Sequence, residues 1–201
     1  MPQAVVIATG NAGKASEFCA ILKGSAFSFF ISKDIGFTEE IEETAQTFKG
    51  NAEIKAKAVF EYASQKHKDY WVVADDSGLE VEALGGRPGV FSARYAGENA
   101  TGVERYTKLL QEMEGKTNRN ARFVCCLCLI RPGSAPEFFE GECRGSILPQ
   151  ARGDGGFGYD PVFLPEGYSK GFGEMNDDEK NVLSHRGRAI KSMLERLNAE
   201  K

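Results

Sequence analysis

The chain has 201 residues, of which 41% are hydrophobic and 27% are charged, and its formal net charge is -4 at pH 7. This length suits one domain, or one domain built as two lobes. The negative balance argues against general affinity for nucleic-acid phosphates, although it allows a local basic site for one small anion. No apolar stretch approaches the roughly 20 residues that cross a bilayer, so we expect neither a nucleic-acid nor a membrane partner.

The amino terminus and the cysteines bear on cellular location. The first residues, MPQAVVIATG, have no basic segment ahead of a long apolar one, so we expect no secretory signal. The five cysteines are an odd number and cannot all pair within one chain. Both observations favour reduced thiols in the cytoplasm. Cys125 and Cys128 form a C-x-x-C, but residues three apart on a strand face opposite sides, so we interpret them as core thiols.

The first half of the chain alternates between predicted strands and helices. Short apolar runs bounded by turn residues predict strands, and apolar residues recurring every three or four positions predict helices. In chain order these are a strand at residues 4–8, a helix at 14–22 with Asn11 as its N-cap, a strand at 27–31, a helix at 51–62 and a strand at 71–74. Lys55 and Lys57 are expected on the solvated face of the second helix.

The second half adds an antiparallel portion. Its predicted elements are a helix at residues 103–113, strands at 122–130 and 137–144 joined by the turn RPGSAP, and a helix at 184–197 capped by Ser184. The last helix is the clearest, because its apolar residues follow the i, i+3, i+4, i+7 rule. The sequence therefore predicts an α/β fold with a mixed sheet.

The stretch ATGNAGKASE, residues 8–17, places a glycine turn and Lys14 between the first strand and the first helix. Backbone N–H groups and the helix dipole favour an anion at a helix start, and Lys14 adds a mobile positive charge. The stretch nearly fits the Walker pattern, but Ala8 replaces its first glycine and Ala15 its Ser/Thr. These residues alone leave open a phosphate site or an ordinary capped turn.

Asp75 and Asp76 stand side by side where the third strand is predicted to end, and Ser77 and Gly78 are expected to form a tight turn there. Adjacent strand residues point to opposite faces, so the two aspartates should have different roles. Carboxylates without a nearby histidine suit Mg²⁺, which takes one or two carboxylates plus substrate phosphates. A turn stabilised by Asp side chains is the alternative.

Two further stretches carry candidate ligand contacts. GDGGFGYDPVF, residues 153–163, contains G-x-G-x-x-G, but Pro161 forbids the helix start that a dinucleotide site requires. Its aromatic and acidic residues suit base stacking and polar readout, or else a glycine loop that closes over its own aromatics. In SHRGRA, His185 and Arg186 fall in the first turn of the last helix, where the dipole disfavours cations. That placement indicates an anionic or acceptor-rich partner.

Four stretches occur in this order over nearly the whole chain: TGNAGK, ADDSGLEVEALGGRPGVFSARYAG, GGFGYDPVF and SHRGRA. Together they resemble the inosine/xanthosine triphosphate pyrophosphatase family, which acts on non-canonical purine nucleoside triphosphates. The resemblance implies a single domain over residues 1–201 with an elongated α/β mixed-sheet fold, two lobes around a central nucleotide-binding cleft, and a homodimer. It implies Mg²⁺-dependent hydrolysis of ITP, XTP and dITP to the monophosphate and pyrophosphate, which cleanses the nucleotide pool of deaminated purines.

The resemblance also assigns roles to residues. Asp76 matches the proton acceptor and metal ligand, Glu42, the first acid of EET, matches the second metal ligand, and Ser77 matches a substrate contact. The remaining matches are the triphosphate-binding turn of Thr9, Gly10, Asn11, Ala12, Gly13 and Lys14, the base-binding loop of Phe157, Gly158, Tyr159 and Asp160, and further substrate contacts at Lys180, His185 and Arg186.

The chain departs from the family pattern beside the acidic loop. Ala45-Gln46 alters a turn that often carries a single Gly-x pair, and Gly50 stands where a glutamate is common. These departures concern the local geometry around Glu42. As a mechanism we expect Lys14 to hold the charge of the departing pyrophosphate, and Asp76 or a neighbouring carboxylate to deprotonate the attacking water. Base choice should rest on hydrogen-bond donors aimed at the 6-keto oxygen.

Overall fold

The computed structural model describes residues 2–200. Within that range the chain forms six strands and five α-helices, with short 3₁₀ turns between them. The strands are β1 (Gln3–Ala8), β2 (Phe27–Ile31), β3 (Trp71–Val81), β4 (Asn120–Ile130), β5 (Glu137–Ile147) and β6 (Phe163–Pro165). The helices are α1 (Ala12–Leu22), α2 (Phe48–Ser64), α3 (Gly102–Glu112), α4 (Asp177–Leu183) and α5 (His185–Asn198).

The strands lie in one sheet in the order β2-β1-β3-β4-β5-β6. β1 pairs in parallel with β2 and β3, and β6 pairs antiparallel with β5. The sheet is therefore mixed, which confirms the predicted fold class. In the β1–β3 register Ala8 lies opposite Ala74. The turn that follows β1 therefore begins level with Asp75, so two of the predicted functional stretches start at the same height of the sheet.

The described residues divide into two compact units. The first unit contains residues 2–76, 125–140 and 189–200, and the second contains residues 77–124 and 141–188. The division crosses β3 between Asp76 and Ser77, so these consecutive residues belong to different units. The single domain expected from the resemblance stays a prediction.

The first unit packs apolar side chains on both faces of its strands. On one face Ile7 and Val73 join a cluster with Phe18 of α1 and Ile190 of α5. On the other face Val6, Ala8, Val72 and Ala74 join a cluster with Ala52, Ala56 and Val59 of α2. Successive strand residues alternate between the faces. Asp75 therefore follows the α1 face, and Asp76 follows the α2 face.

The second unit has its own core, built from the ends of the long strands and from α3. Leu79, Val81, Leu109 and Met113 pack there with an aromatic group. The rings of Phe123 and Phe163 meet edge to face with their centroids 4.7 Å apart, and Phe172 packs on both. Phe163 follows the glycine-rich loop of residues 153–158, and these ring contacts hold it in the core of the second unit.

Several predicted boundaries needed correction. The tight turn expected at Ser77 and Gly78 is wrong, because β3 continues to Val81. Leu79 and Val81 are buried and continue the period-two alternation, so there is no reason for the strand to stop at the aspartates. α2 begins at Phe48 rather than at residue 51, because Thr47 caps it by accepting the Gly50 N–H. α4 was not predicted, although Asn176 and Glu179 form a capping box at its start.

Other sequence expectations are confirmed. Asn11 caps α1 by accepting the Lys14 N–H, and Ser184 accepts the Gly187 N–H at the start of α5. All five cysteines are free, and four of them, Cys125, Cys126, Cys128 and Cys143, are buried as core thiols. Within residues 2–200, no helix combines the length and apolar character that crossing a membrane would require.

Candidate active site

The turn after β1 is an exposed segment whose polar groups are set by a helix cap. The Asn11 N–H donates to Thr9 Oγ1 at 3.1 Å, and Asn11 Oδ1 accepts the Lys14 N–H at 3.0 Å. A Cβ added to Gly10 would meet nothing within 4 Å, so the backbone there is open to a ligand. The start of α1 therefore has N–H groups and a dipole that favour an anion, and the phosphate site at residues 9–14 stays a prediction.

Asp75 and Asp76 contact different lysines. Lys14 Nζ lies 2.6 Å from Asp75 Oδ1, and the Cys125 thiol donates to Asp75 Oδ2 at 3.6 Å. Asp76 Oδ1 accepts from Lys55 Nζ at 3.0 Å, and Asp76 Oδ2 accepts from Asn51 Nδ2 at 3.2 Å. The two carboxylates thus face opposite sides of the sheet, as predicted, and their different roles stay a prediction.

The prediction that Lys55 lies on a solvated helix face is wrong. Its side chain is only 12% exposed, and its Nζ lies 2.7 Å from Glu43 Oε1 as well as 3.0 Å from Asp76. Burial by itself lowers the pKa of Lys55, but the negative charges of Asp76, Asp75 and Glu43 outweigh it and raise that pKa above 10.5. The ammonium therefore stays charged. Lys57 does lie at the surface, paired with Glu53.

Burial is also the main influence on Asp76. It raises the pKa of the Asp76 carboxyl above the usual 3.8, while the positive charges of Lys55 and Lys14 act in the opposite direction. Asp76 is 5% exposed. A buried carboxylate held by two directed hydrogen-bond donors, with a raised pKa, is a candidate general base.

Glu43 and Asp76 are the acids that could hold a divalent metal. Both contact the same Lys55 nitrogen, so their oxygens are no farther apart than the sum of those two distances. Two carboxylates without a nitrogen or sulfur ligand fit Mg²⁺, which takes its other ligands from water and phosphate. Among residues 2–200 no three His, Cys, Asp or Glu side chains gather as a metal site.

Glu42, the acid assigned to the metal by resemblance, precedes Glu43 directly but does not share its contact with Lys55. Its side chain is exposed, and no hydrogen bond or ion pair is found for it among the described residues. Its role stays a prediction. Within this loop Glu43, and not Glu42, contacts Lys55.

The base-binding loop predicted at residues 157–160 is held by Asp160. Asp160 Oδ2 accepts the Phe157 N–H at 2.7 Å and the Lys180 ammonium at 2.6 Å. The Asp160 and Lys180 side chains are each 4% exposed. A Cβ on Gly156 would lie 2.2 Å from Asp160 Oδ2, so only glycine fits beneath this carboxylate. The loop is therefore preorganised by a buried ion pair.

Cations surround the half-buried ring of Phe157. Lys180 Nζ lies 4.7 Å and Arg186 Cζ 5.8 Å from its centroid, within the range of cation–π attraction. Arg186 is 2% exposed and donates from Nη2 to Ser77 Oγ at 2.9 Å. His185 stacks on Phe123, with the centroids 4.7 Å apart and the planes 9° apart. The second unit thus brings Lys180 and Arg186 to the same ring of Phe157, and Arg186 also contacts Ser77.

The Tyr159 side chain is buried in a core, so its ring is not exposed for stacking on a base. Its ring lies in the core of the second unit, and its hydroxyl donates to the Ser92 carbonyl at 2.9 Å. Burial raises the pKa of Tyr159, so the phenol stays neutral.

The sequence did not identify three residues of the first-unit site, namely Glu43, Asn51 and Lys55. Asn51 and Lys55 are four residues apart on α2, so helical geometry puts both on one face. That spacing was a usable signal. Glu43 carried no comparable signal, because loop residues have no fixed periodicity.

The chain is similar to known proteins over nearly its whole length. A model of the Ham1 family matches residues 5–196. A dITP/XTP pyrophosphatase of Bacillus licheniformis is 47% identical over 191 residues, covering 94% of this chain and 95% of that protein. One of Bacillus subtilis is 45% identical over 196 residues, covering 96% of both. The solved structure of the Staphylococcus aureus Ham1 protein has a TM-score of 0.87 at 36% identity and covers 99% of this chain and 100% of that one.

Proposed function

Because this chain belongs to the Ham1 family, we propose that it is a nucleoside-triphosphate pyrophosphatase. It hydrolyses non-canonical purine nucleoside triphosphates such as dITP and XTP to the nucleoside monophosphate and pyrophosphate. This confirms the family resemblance found in the sequence. The observation that carries the proposal is the identity of 47% over 94% of the chain to a dITP/XTP pyrophosphatase.

The first unit supplies the groups that a triphosphate requires. Lys14 and the N–H groups at the start of α1 bind the phosphates and stabilise the negative charge of the departing pyrophosphate. Asp76 and Glu43 are the acids that fit Mg²⁺, and Glu42 stays a predicted alternative to Glu43. Mg²⁺ held by these acids would supply charge neutralisation at the phosphate oxygens. The two carboxylates around one ammonium support this assignment.

Asp76 is the group proposed to deprotonate the attacking water. Its oxygens each accept one hydrogen bond, from Lys55 and Asn51, which leaves further lone pairs for a water molecule. The water oxygen then bonds to the α phosphorus, the bond from that phosphorus to the bridging oxygen breaks, and the proton passes to Asp76.

The second unit supplies the groups proposed to read the base. Lys180, His185 and Arg186 are cationic or polar donors, and Phe157 offers a ring face for stacking. A 6-keto oxygen accepts from such donors, whereas the 6-amino group of adenine would leave a buried donor unpaired. One unpaired donor costs about 1–3 kcal/mol, and several together discriminate strongly.

The deciding experiment measures the products of dITP hydrolysis with Mg²⁺, with pyrophosphate and orthophosphate assayed separately. We expect pyrophosphate in equal amount to the monophosphate, and turnover of dATP at least about a hundredfold less efficient. Orthophosphate alone would indicate cleavage at the γ position, and neither product would leave a nucleotide-binding regulatory module. Equal efficiency on dATP and dITP would contradict the account of base choice.

The homodimer and the cytoplasmic location are further proposals that accompany the family resemblance. Chromatography with light scattering measures the first of these.

A further inference from the structure

The acid that pairs with Lys55 lies on a segment without regular structure. Glu43 belongs to the stretch at residues 36–47 that precedes α2, and its side chain is half-buried. Lys55 reaches both Glu43 and Asp76 only while this segment stays close to the first turn of α2. Something in the chain must therefore hold the segment there.

Asn51 contacts both the segment and Asp76. It is 0% exposed, its Oδ1 accepts the Ala45 N–H at 2.9 Å, and its Nδ2 donates to Asp76 Oδ2 at 3.2 Å. A backbone N–H can only donate, so the carboxamide oxygen must face Ala45 and the NH₂ group must face Asp76. One buried side chain thus fixes the segment and the carboxylate in a single orientation.

Gly50 provides the space for this arrangement. A Cβ at position 50 would lie 2.6 Å from the Cβ of Ala45 and 3.2 Å from Thr47 Oγ1. Ala45 Cβ is attached directly to the loop backbone, so it could not move aside without moving the loop. Glycine inside a helix is otherwise unfavourable. Its presence in α2 therefore has a packing reason, and it matches the alanine at position 45.

From these contacts we infer that Ala45, Gly50 and Asn51 form a loop clamp that positions Glu43 relative to Asp76. The inference rests on the proposed function for its catalytic consequence, but its structural part does not depend on it. Asn51 acts here as a positioning residue, through its contacts with the loop and with Asp76. Ala45 and Gly50 are then a matched pair within this chain: the methyl group of Ala45 occupies the space that a side chain at position 50 would need.

A double-mutant cycle tests the pair. Gly50→Ala should lower kcat/KM for dITP by about tenfold, because a displacement near 1 Å at a catalytic group is costly. The double variant Ala45→Gly/Gly50→Ala should recover to within about twofold of Ala45→Gly. Gln46→Ala, at an exposed position of the same loop, is the matched control and should equal the wild type. Unchanged activity of Gly50→Ala, or a double variant as impaired as Gly50→Ala, would overturn the inference.

Two measurements separate the clamp from the enzymatic activity. If no clamp exists, Gly50→Ala should raise the midpoint temperature of unfolding, because alanine favours a helix more than glycine does. If the clamp exists, the clash with Ala45 should lower that temperature. The Ala45 amide, followed by NMR hydrogen exchange, should exchange at least about tenfold faster in Asn51→Ala than in the wild type. Unchanged exchange would refute the clamp, whereas a wild type that releases no pyrophosphate would refute the proposed function alone.

Discussion

At the scale of single residues, the adjacent aspartates are tolerated because each has its own cation. Asp75 pairs with Lys14 and Asp76 with Lys55, and strand alternation directs them to opposite faces. Two like charges in sequence would otherwise repel and raise each other's pKa. Asp76 accepts from Lys55 on one oxygen and from Asn51 on the other, and these two donors fix the orientation of its carboxylate.

The two candidate metal acids can be told apart by matched substitutions. Glu43→Gln should lower kcat/KM for dITP at fixed Mg²⁺ by at least about tenfold, because the amide removes a charge that contacts Lys55. Glu42→Gln, one residue away and exposed, should have little effect. Asp76→Asn is the reference for full loss and should cost about a hundredfold or more. A larger loss from Glu42→Gln than from Glu43→Gln would restore the assignment made by resemblance.

At the scale of elements, the segment before α3 connects that helix with residues 157–160, the loop proposed to bind the base. The Tyr95 hydroxyl donates to Glu112 Oε2 at 2.7 Å, and Lys108 Nζ donates to the Tyr95 carbonyl at 2.7 Å. The Ser92 carbonyl in turn accepts the Tyr159 hydroxyl. The position of residues 157–160 therefore depends on how well this segment is fixed to α3.

Tyr95→Phe tests that connection through its pH dependence. The lost hydrogen bond should lower the free energy of unfolding by about 1 kcal/mol at pH 7. Burial, then the bond to Glu112, raises the pKa of Tyr95 from 10.0 to about 12. The folded wild type holds this proton more tightly, so its advantage is full below pH 10 and is lost as the pH rises towards 12.

Urea unfolding of both proteins between pH 7 and about pH 11 measures this difference. Tyr168→Phe, at a residue that is 49% exposed, is the control and should be neutral. A stability difference that grows above pH 10 would contradict the prediction.

At the scale of the whole molecule, each of the three apolar clusters lies within one unit: two belong to the first unit and one to the second. Four of the five cysteines lie in or beside these cores. Burial raises the pKa of Cys126 and Cys143 to about 11 and that of Cys128 to about 12. Since the thiolate is the reactive form, the native fold should suppress their reactions.

A thiol titration at pH 8 measures that protection. One equivalent, the exposed Cys19, should react rapidly in the native protein, and all five should react after unfolding. Cys19→Ser should abolish the rapid phase. More than one rapid equivalent in the wild type would show that a core opens locally.

The sequence predicted much of the fold because periodicity and capping are local properties. The cap at Asn11, the cap at Ser184 and the opposite directions of Asp75 and Asp76 all follow from rules that span a few residues. The sequence does not predict α4, because that helix is short and has no apolar stripe. The adjacent carboxylates predict an early end to β3, whereas the strand continues to Val81.

By itself, the sequence determined the fold class, the family, and the stretches that carry the chemistry, since these depend on residue order along single elements. Only the tertiary structure decided that Lys55 is buried between two acids, that Glu43 rather than Glu42 faces it, and that Tyr159 belongs to a core. Those facts depend on how a loop without periodicity folds back on a helix, and on which side chains meet across residues far apart in the chain. Packing, and not local propensity, fixes such contacts.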